Sequence, residues 1–166
     1  MAFKLVEKKL EENENIFLSG KEFFKKIRNE EDSSSPIKYD MDIFILCLIL
    51  GLMYEQKKIL KDYKFYQSFS PKYIDSHLQT KPIITALLLS RTLKYKNVDK
   101  NEKEKVKKVL QEVLDTNDPI DLKADYIDLM HEYYLGGHCL LLEKFNYKSP
   151  DEISVFFDKY NKLITN

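Results

Sequence analysis

The most apolar stretch of the chain lies at residues 40–58 and reads DMDIFILCLILGLMYEQKK. From Ile43 to Met53 every residue is apolar or glycine, so apolar side chains cover all faces of the helix that this stretch predicts. Aspartates stand at its N-terminal end and lysines at its C-terminal end, where each charge stabilises the helix dipole. We therefore predict a buried central helix over residues 40–58, enclosed by the other elements of the fold.

Helical spacing of apolar residues recurs along the rest of the chain. It predicts further helices over residues 19–29, 80–96, 99–114 and 121–144, and a last one that begins at Pro150. The 166 residues include only 4 Gly and 5 Pro, too few for the many turns of a sandwich or barrel. The predicted fold is all-α: a compact, single-domain bundle of about six helices around the central helix.

Three segments do not follow the helical pattern. Residues 1–18 are left as an uncertain N-terminal arm, extended or loosely packed, and residues 19–166 are assigned to one helical domain. Residues 59–79 are predicted to be irregular, apart from one helical turn. The adjacent glycines Gly136 and Gly137 interrupt the pattern of residues 121–144. They indicate a kink, a close approach of two helices, or a break between helices.

No catalytic or metal-binding motif is found in the sequence. His131 and His138 are seven residues apart, but no further ligands at suitable spacing complete a zinc site. Cys139 directly follows His138, and neighbouring side chains on a helix diverge, which argues against a Cys–His nucleophile. Cys47 lies in the apolar helix, where burial makes a thiol unreactive. The sequence therefore predicts a protein that is not an enzyme and has no cofactor and no metal.

The cellular location is predicted from the cysteines and the apolar runs. Two free thiols in apolar stretches fit a reducing compartment, and the N-terminal residues lack the pattern of a signal peptide. The longest apolar run is well short of the roughly 20 residues that a membrane span needs. We expect a cytoplasmic protein with no membrane partner.

Charge is distributed unevenly, although the net charge is zero. Residues 57–108 carry 14 Lys and Arg against 5 Asp and Glu, whereas residues 109–143 carry 1 basic residue against 8 acidic residues. The first part of the basic block interleaves lysines with aromatic residues. The candidate residues for contact with a partner protein or nucleic acid are Lys57, Lys58, Lys61, Tyr63, Lys64, Phe65, Tyr66, Phe69, Lys72 and Tyr73.

This pattern is open to three interpretations. Lysines beside exposed rings bind nucleic acid, because the charges follow the phosphates and the rings stack on bases. The same rings supply most of the binding energy at protein interfaces. In the third interpretation the rings fold back onto the core while the lysines stay in water.

Three functions fit the sequence. The favoured one is a non-catalytic accessory subunit that docks into a larger protein complex, such as a bacterial nucleic-acid-processing or anti-phage defence assembly. Its protein partner would belong to a hetero-complex or would be a second copy of the chain. The second function is a small nucleic-acid-binding protein that uses residues 57–108. The third is an enzyme whose site is not local in sequence. The absence of local catalytic motifs favours the first.

Overall fold

Helices form most of the described part of the chain, which in the computed structural model comprises residues 3–9, 18–28, 35–59, 63–69, 80–115 and 122–165. The helices are α1 (Leu18–Ile27), α2 (Asp40–Met53), α3 (Thr80–Tyr95), α4 (Lys103–Val113), α5 (Ala124–Lys144) and α6 (Ile153–Thr165). Two short strands, β1 (Phe3–Lys9) and β2 (Tyr63–Phe69), accompany them. The predicted helical class is confirmed, and the strand pair adds to it. No helix in the described part of the chain is both long and apolar enough to cross a membrane.

The internal contacts divide the chain into two units. The first unit comprises residues 1–71 and 131–166, and the second unit comprises residues 72–130. Helix α5 changes unit after Met130. The assignment of residues 19–166 to a single domain stays a prediction.

Helix α2 lies at the centre of the first unit. Phe44, Cys47, Leu48 and Leu50 are fully buried along it, as expected of a helix that is apolar on all faces. Its start is fixed by Asp42, whose carboxylate accepts hydrogen bonds from the backbone N–H groups of residues 38 and 39, at 2.9 and 2.6 Å. Asp42 is the third residue of the helix, and its carboxylate holds the entering chain by bonding the backbone of the N-cap residue Tyr39 and of Lys38 before it.

The predicted C-terminal end of the central helix, at residue 58, was wrong. Helix α2 ends at Met53, and Glu55 adopts a left-handed conformation with φ of 56°. The backbone N–H of Gln56 then donates to the carbonyl of Gly51 at 2.9 Å, which is the bond that closes a Schellman motif. The sequence places no glycine or proline at this stop, so the pattern alone did not mark it.

Glycines let the backbones of α2 and α5 touch. A Cβ atom on Gly137 would overlap the carbonyl oxygen of Cys47 and lie 2.6 Å from the nitrogen of Gly51. A Cβ on Gly51 would in turn overlap the carbonyl oxygen of Tyr133. Of the three interpretations of Gly136 and Gly137, the structure shows a close approach, and α5 runs through both without a break.

Aromatic rings fill the remainder of the first unit's core. Phe145 stacks on Phe156 with ring centroids 5.3 Å apart, and Phe23 meets Phe145 edge-on at 5.4 Å. Tyr160 continues the stack and donates its hydroxyl to the carbonyl of Leu46 on α2, at 2.7 Å. This bond satisfies the polar end of a buried tyrosine, as such side chains generally require.

The strands correct the prediction that residues 59–79 are irregular. Residues 63–69 form β2, which pairs antiparallel with β1, from Phe3 opposite Phe69 to Lys9 opposite Tyr63, with two register shifts. β1 also lies against α1 and α2. The partner strand is about 60 residues away in sequence, and strand formation depends on such pairing more than on intrinsic preference.

The second unit is built around the buried faces of α3 and α4. Leu88 on α3 and Val113 on α4 are fully buried. A hydrogen bond connects the start of the next described segment to α4, because the backbone N–H of Lys123 donates to the carbonyl of Val113 at 3.0 Å. Helix α3 ends in a Schellman motif at Asn97, a residue type that tolerates the left-handed conformation.

Candidate functional site

The structure separates the candidate contact residues into groups instead of gathering them in one loop. Lys57 and Lys58 lie in the exposed segment after α2. Tyr63, Lys64, Phe65, Tyr66 and Phe69 belong to β2, whose backbone is paired with β1. Lys61, Lys72 and Tyr73 lie outside the described residues. A role for this set in binding stays a prediction.

The two lysines after α2 are anchored to α5. The backbone N–H of Lys58 donates to the carbonyl of Glu132 at 3.1 Å, and the ammonium group of Lys57 lies 5.5 Å from the ring centre of Tyr133. A lysine over an aromatic face is attracted by the ring's quadrupole. This segment is therefore part of the packing of the first unit, which lowers its value as a free docking loop.

His131 and His138 are buried among aromatic rings. His131 meets Phe44 edge-on at 5.7 Å, and His138 lies 5.8 Å from Phe24 and 6.0 Å from Tyr134. Both histidines are under 5% exposed. Burial lowers the pKa of His138 to about 4, so its ring is neutral at physiological pH.

The two free cysteines differ in burial, since Cys47 is buried and Cys139 is half-buried. Cys47 is fully buried, and burial, followed by the neighbouring Cys139, raises the pKa of its thiol well above the ordinary value. A thiol in this state is a poor nucleophile. Within the described ranges, no three His, Cys, Asp or Glu residues are grouped so as to hold a metal ion.

An open apolar groove lies between α3 and α4, inside the second unit. We call it the α3–α4 groove and define it by its lining residues: Ala86, Leu89, Ser90, Leu93, Val106, Val109 and Leu110. Its volume is about 250 Å³. Only the Ser90 hydroxyl contributes a polar side-chain group to the lining.

Helical spacing explains why these residues meet. Ala86, Ser90 and Leu93 follow one another by three or four residues and share one face of α3, as Val106 and Leu110 do on α4. This face of α3 is turned away from the buried face that Leu88 marks. The groove lining therefore remains accessible: Leu110 is 36% exposed, whereas its neighbour Val109 is only 3% exposed.

The surface around the groove carries more positive than negative charge. Residues 80–115 contain nine Lys and Arg against five Asp and Glu. Glu112 pairs with Lys96 at 2.8 Å and Glu102 pairs with Lys105, so each pair cancels one carboxylate and one lysine and the excess of positive charge remains. The pairing with Lys96 also holds the pKa of Glu112 below its ordinary value.

The sequence predicted the two helices that form the groove but not the groove itself. Apolar residues at helical spacing predicted helices over residues 80–96 and 99–114, and such a stripe usually indicates a face that packs against a core. One feature of the sequence did indicate an uncovered face. Apolar residues occupy several faces of α3, since Ile83, Leu87, Leu88 and Leu89 cannot all share one face. Which of these faces is covered depends on the neighbouring elements.

Neither a protein-family model, nor a curated protein, nor a solved structure matches this chain.

Proposed function

We propose that this protein is a non-catalytic subunit that docks onto another protein through the α3–α4 groove. The observation that carries the proposal is the accessible apolar lining of the groove, with Leu110 more than a third exposed beside the open faces of Ala86 and Ser90. An open groove lined by aliphatic side chains suits the apolar anchors of a partner protein, whereas single exposed apolar residues are common on any protein.

The rest of the described chain supports a binding role over a catalytic one. Its buried titratable side chains, such as His138 and Cys47, lie in the aromatic and aliphatic core of the first unit. Catalytic groups generally face a cleft that a substrate can enter. The groove, by contrast, has a lining suited to apolar side chains. The free thiols of Cys47, which is buried, and Cys139, which is half-buried, also support a reducing compartment, and we propose the cytoplasm.

Affinity capture from native cells tests the docking role. The tagged wild-type chain should retain a stoichiometric protein that survives nuclease treatment, and Leu110→Glu should lose it, because a carboxylate in the groove is costly to desolvate. Gln111→Glu is the matched control. It adds the same charge at the next residue of α4, outside the groove lining, and should retain the partner. Equal capture by all three chains would refute the groove as the docking surface.

Nucleic-acid binding by residues 57–108 is the second candidate, favoured by their excess of positive charge. Replacing Lys57, Lys58, Lys61 and Lys64 by Ala would then flatten the dependence of binding on salt, because fewer counterions are released. An unchanged slope would remove this segment as the binding surface. Capture that disappears with nuclease would favour nucleic acid over the docking role.

A further inference from the structure

The α3–α4 groove also indicates what kind of partner it fits. We propose that it binds an amphipathic helix of a partner protein whose apolar stripe is bordered by Asp and Glu. This inference rests on the proposed docking function and adds to it the chemical class of the partner.

The dimensions of the groove favour a helix over a small molecule. Its volume of about 250 Å³ is below the range of roughly 300–1,000 Å³ in which small-molecule sites usually fall. The lining face of α3 from Ala86 to Leu93 spans about 10 Å, and Ile83, 57% exposed, extends the same face by another turn. A partner helix that lies along such a face presents anchors at spacings of three, four and seven residues.

The lining favours aliphatic anchors. Leu89, Leu93, Val106 and Leu110 supply aliphatic carbon, and neither an aromatic ring nor a charged group lines the groove. A surface for single-stranded nucleic acid needs rings on which bases stack, and the groove offers none. Its basic surroundings therefore favour an acidic protein segment.

The lysines of α4 determine which charge we expect on the residues that border the apolar stripe of the partner helix. Lys103 precedes Val106 by three residues, and Lys107 precedes Leu110 by three, so both lie next to the apolar stripe. Both lysines are exposed, and neither forms an ion pair with any residue that the structure describes. Acidic flanks on the partner helix would complement these charges, whereas basic flanks would be repelled.

Three labelled peptides probe the proposal with the full-length chain, by fluorescence anisotropy. The first carries leucines at helical spacing bordered by glutamates. The second keeps the leucines and replaces the glutamates by lysines. The third has the composition of the first in a scrambled order. We expect the first peptide to bind at least about tenfold more tightly than the other two.

Variants of the chain locate the binding. Leu110→Glu should weaken the first peptide about tenfold or more, whereas Gln111→Glu, which adds the same charge outside the lining and next to Lys107, should have a clearly smaller effect. The double variant Lys103→Glu/Lys107→Glu should reverse the preference in favour of the lysine-bordered peptide. Circular dichroism and thermal unfolding of each variant ensure that a loss of binding does not reflect a loss of folding.

Several outcomes would overturn the proposal. Equal binding of the glutamate and lysine peptides would show that the flanking charge does not matter, and binding of the scrambled peptide would show that helical spacing does not. Self-association in sedimentation that Leu110→Glu abolishes would assign the groove to a second copy of the chain. Displacement of the peptide by a short oligonucleotide would assign it to nucleic acid.

The inference can fail separately from the proposed function. If Leu110→Glu abolishes capture of a cellular protein but none of the peptides binds, the groove docks a protein and the inferred helix chemistry is wrong. If capture is insensitive to Leu110→Glu and no peptide binds, both fail.

Discussion

Two helix pairs in this protein meet in opposite ways. α2 and α5 approach until their backbones touch, because Gly51 and Gly137 lack side chains at the crossing. α3 and α4 meet through leucine, valine, alanine and serine side chains and leave an open apolar groove. The comparison shows how residue size at a helix contact decides whether the pair closes or stays available to a partner.

The difference leads to different expectations for the two pairs. Close backbone approach with aromatic packing around it leaves little room for a ligand and makes the contact intolerant of substitution. The α3–α4 pair keeps part of its apolar surface exposed and tolerates changes there. We therefore expect substitutions at the first pair to affect folding and substitutions at the second to affect binding.

The largest effect is expected from Gly137→Leu. The new side chain would have to displace backbone atoms of α2, so the substitution should cost about 3 kcal/mol or more, at the upper end for overpacked cores. Urea or thermal unfolding measures the loss. Glycine otherwise destabilises a helix by about 1 kcal/mol relative to a better helix former, so a gain in stability would disprove the close approach.

Gly136→Ala sharpens this test. Its Cβ would overlap the carbonyl oxygen of Gln56, which lies in the segment after α2 and not in a helix. That segment can shift more easily than α2, so Gly136→Ala should cost less than Gly137→Ala. The reverse order would mean that the segment after α2 is as rigid as the helix itself.

Lowering the pH is expected to have the second-largest effect on the free energy of unfolding. Burial lowers the pKa of His138 from 6.5 to about 4, so the unfolded state takes up the proton before the folded state does. The part of the free energy of unfolding that depends on a neutral His138 ring is fully present above pH 6.5 and is lost as pH falls towards 4. The expected loss from this group is about 2 kcal/mol between neutral pH and pH ~5.

Unfolding of the wild type and of His138→Gln at both pH values isolates this contribution, since glutamine does not titrate. The variant should show a flatter dependence of stability on pH, even if it is less stable at neutral pH. Parallel curves for the two chains would contradict the assignment of the acid sensitivity to His138.

Tyr160→Phe should have a smaller effect, about 1 kcal/mol, because it removes one buried hydrogen bond to the carbonyl of Leu46. Tyr54→Phe is the matched control. Its hydroxyl makes a bond of the same length, 2.7 Å, to the carbonyl of Leu163, but the side chain is exposed and water can replace the bond. Denaturant unfolding of both variants should rank Tyr160→Phe as the costlier change; equal losses would contradict the difference in burial.

The smallest effect on stability is expected in the groove. Leu110→Glu should change the free energy of unfolding by less than about 1 kcal/mol, because the new carboxylate can reach water. Val109→Glu places the same group at a buried position one residue earlier and should cost several times more. Similar losses at both positions, measured by thermal unfolding, would mean that Leu110 is not accessible in the folded chain.

Particular elements show which features could be predicted from sequence. Residues 80–96 were predicted as a helix, and α3 occupies Thr80–Tyr95, because a proline in the first turn and regular apolar spacing are local signals. The end of α2 was missed because Glu55 adopts a left-handed conformation without glycine. β2 was missed because its partner β1 precedes it by about 60 residues and local spacing carries no information on such pairing.

The candidate site shows the same limit. The lysines and aromatic residues of 57–73 were predicted as contact residues because of their composition. In the structure, Lys57 and Lys58 are anchored to α5, and most of the aromatic residues lie in a paired strand. The groove has no compositional signal, since its residues are those of an ordinary apolar helix face.

The sequence by itself determined the helical class and the enclosure of α2, because the all-round apolar surface of residues 43–53 can be stable in water only when covered. The adjacent glycines marked a special point on α5, but only the structure showed that it is a close approach and not a kink or a break. Only the tertiary structure decided where the chain pairs as strands and which apolar faces stay open. Both depend on elements that are distant in sequence, and the exposure of Leu110 beside the buried Val109 is set by what packs against α4.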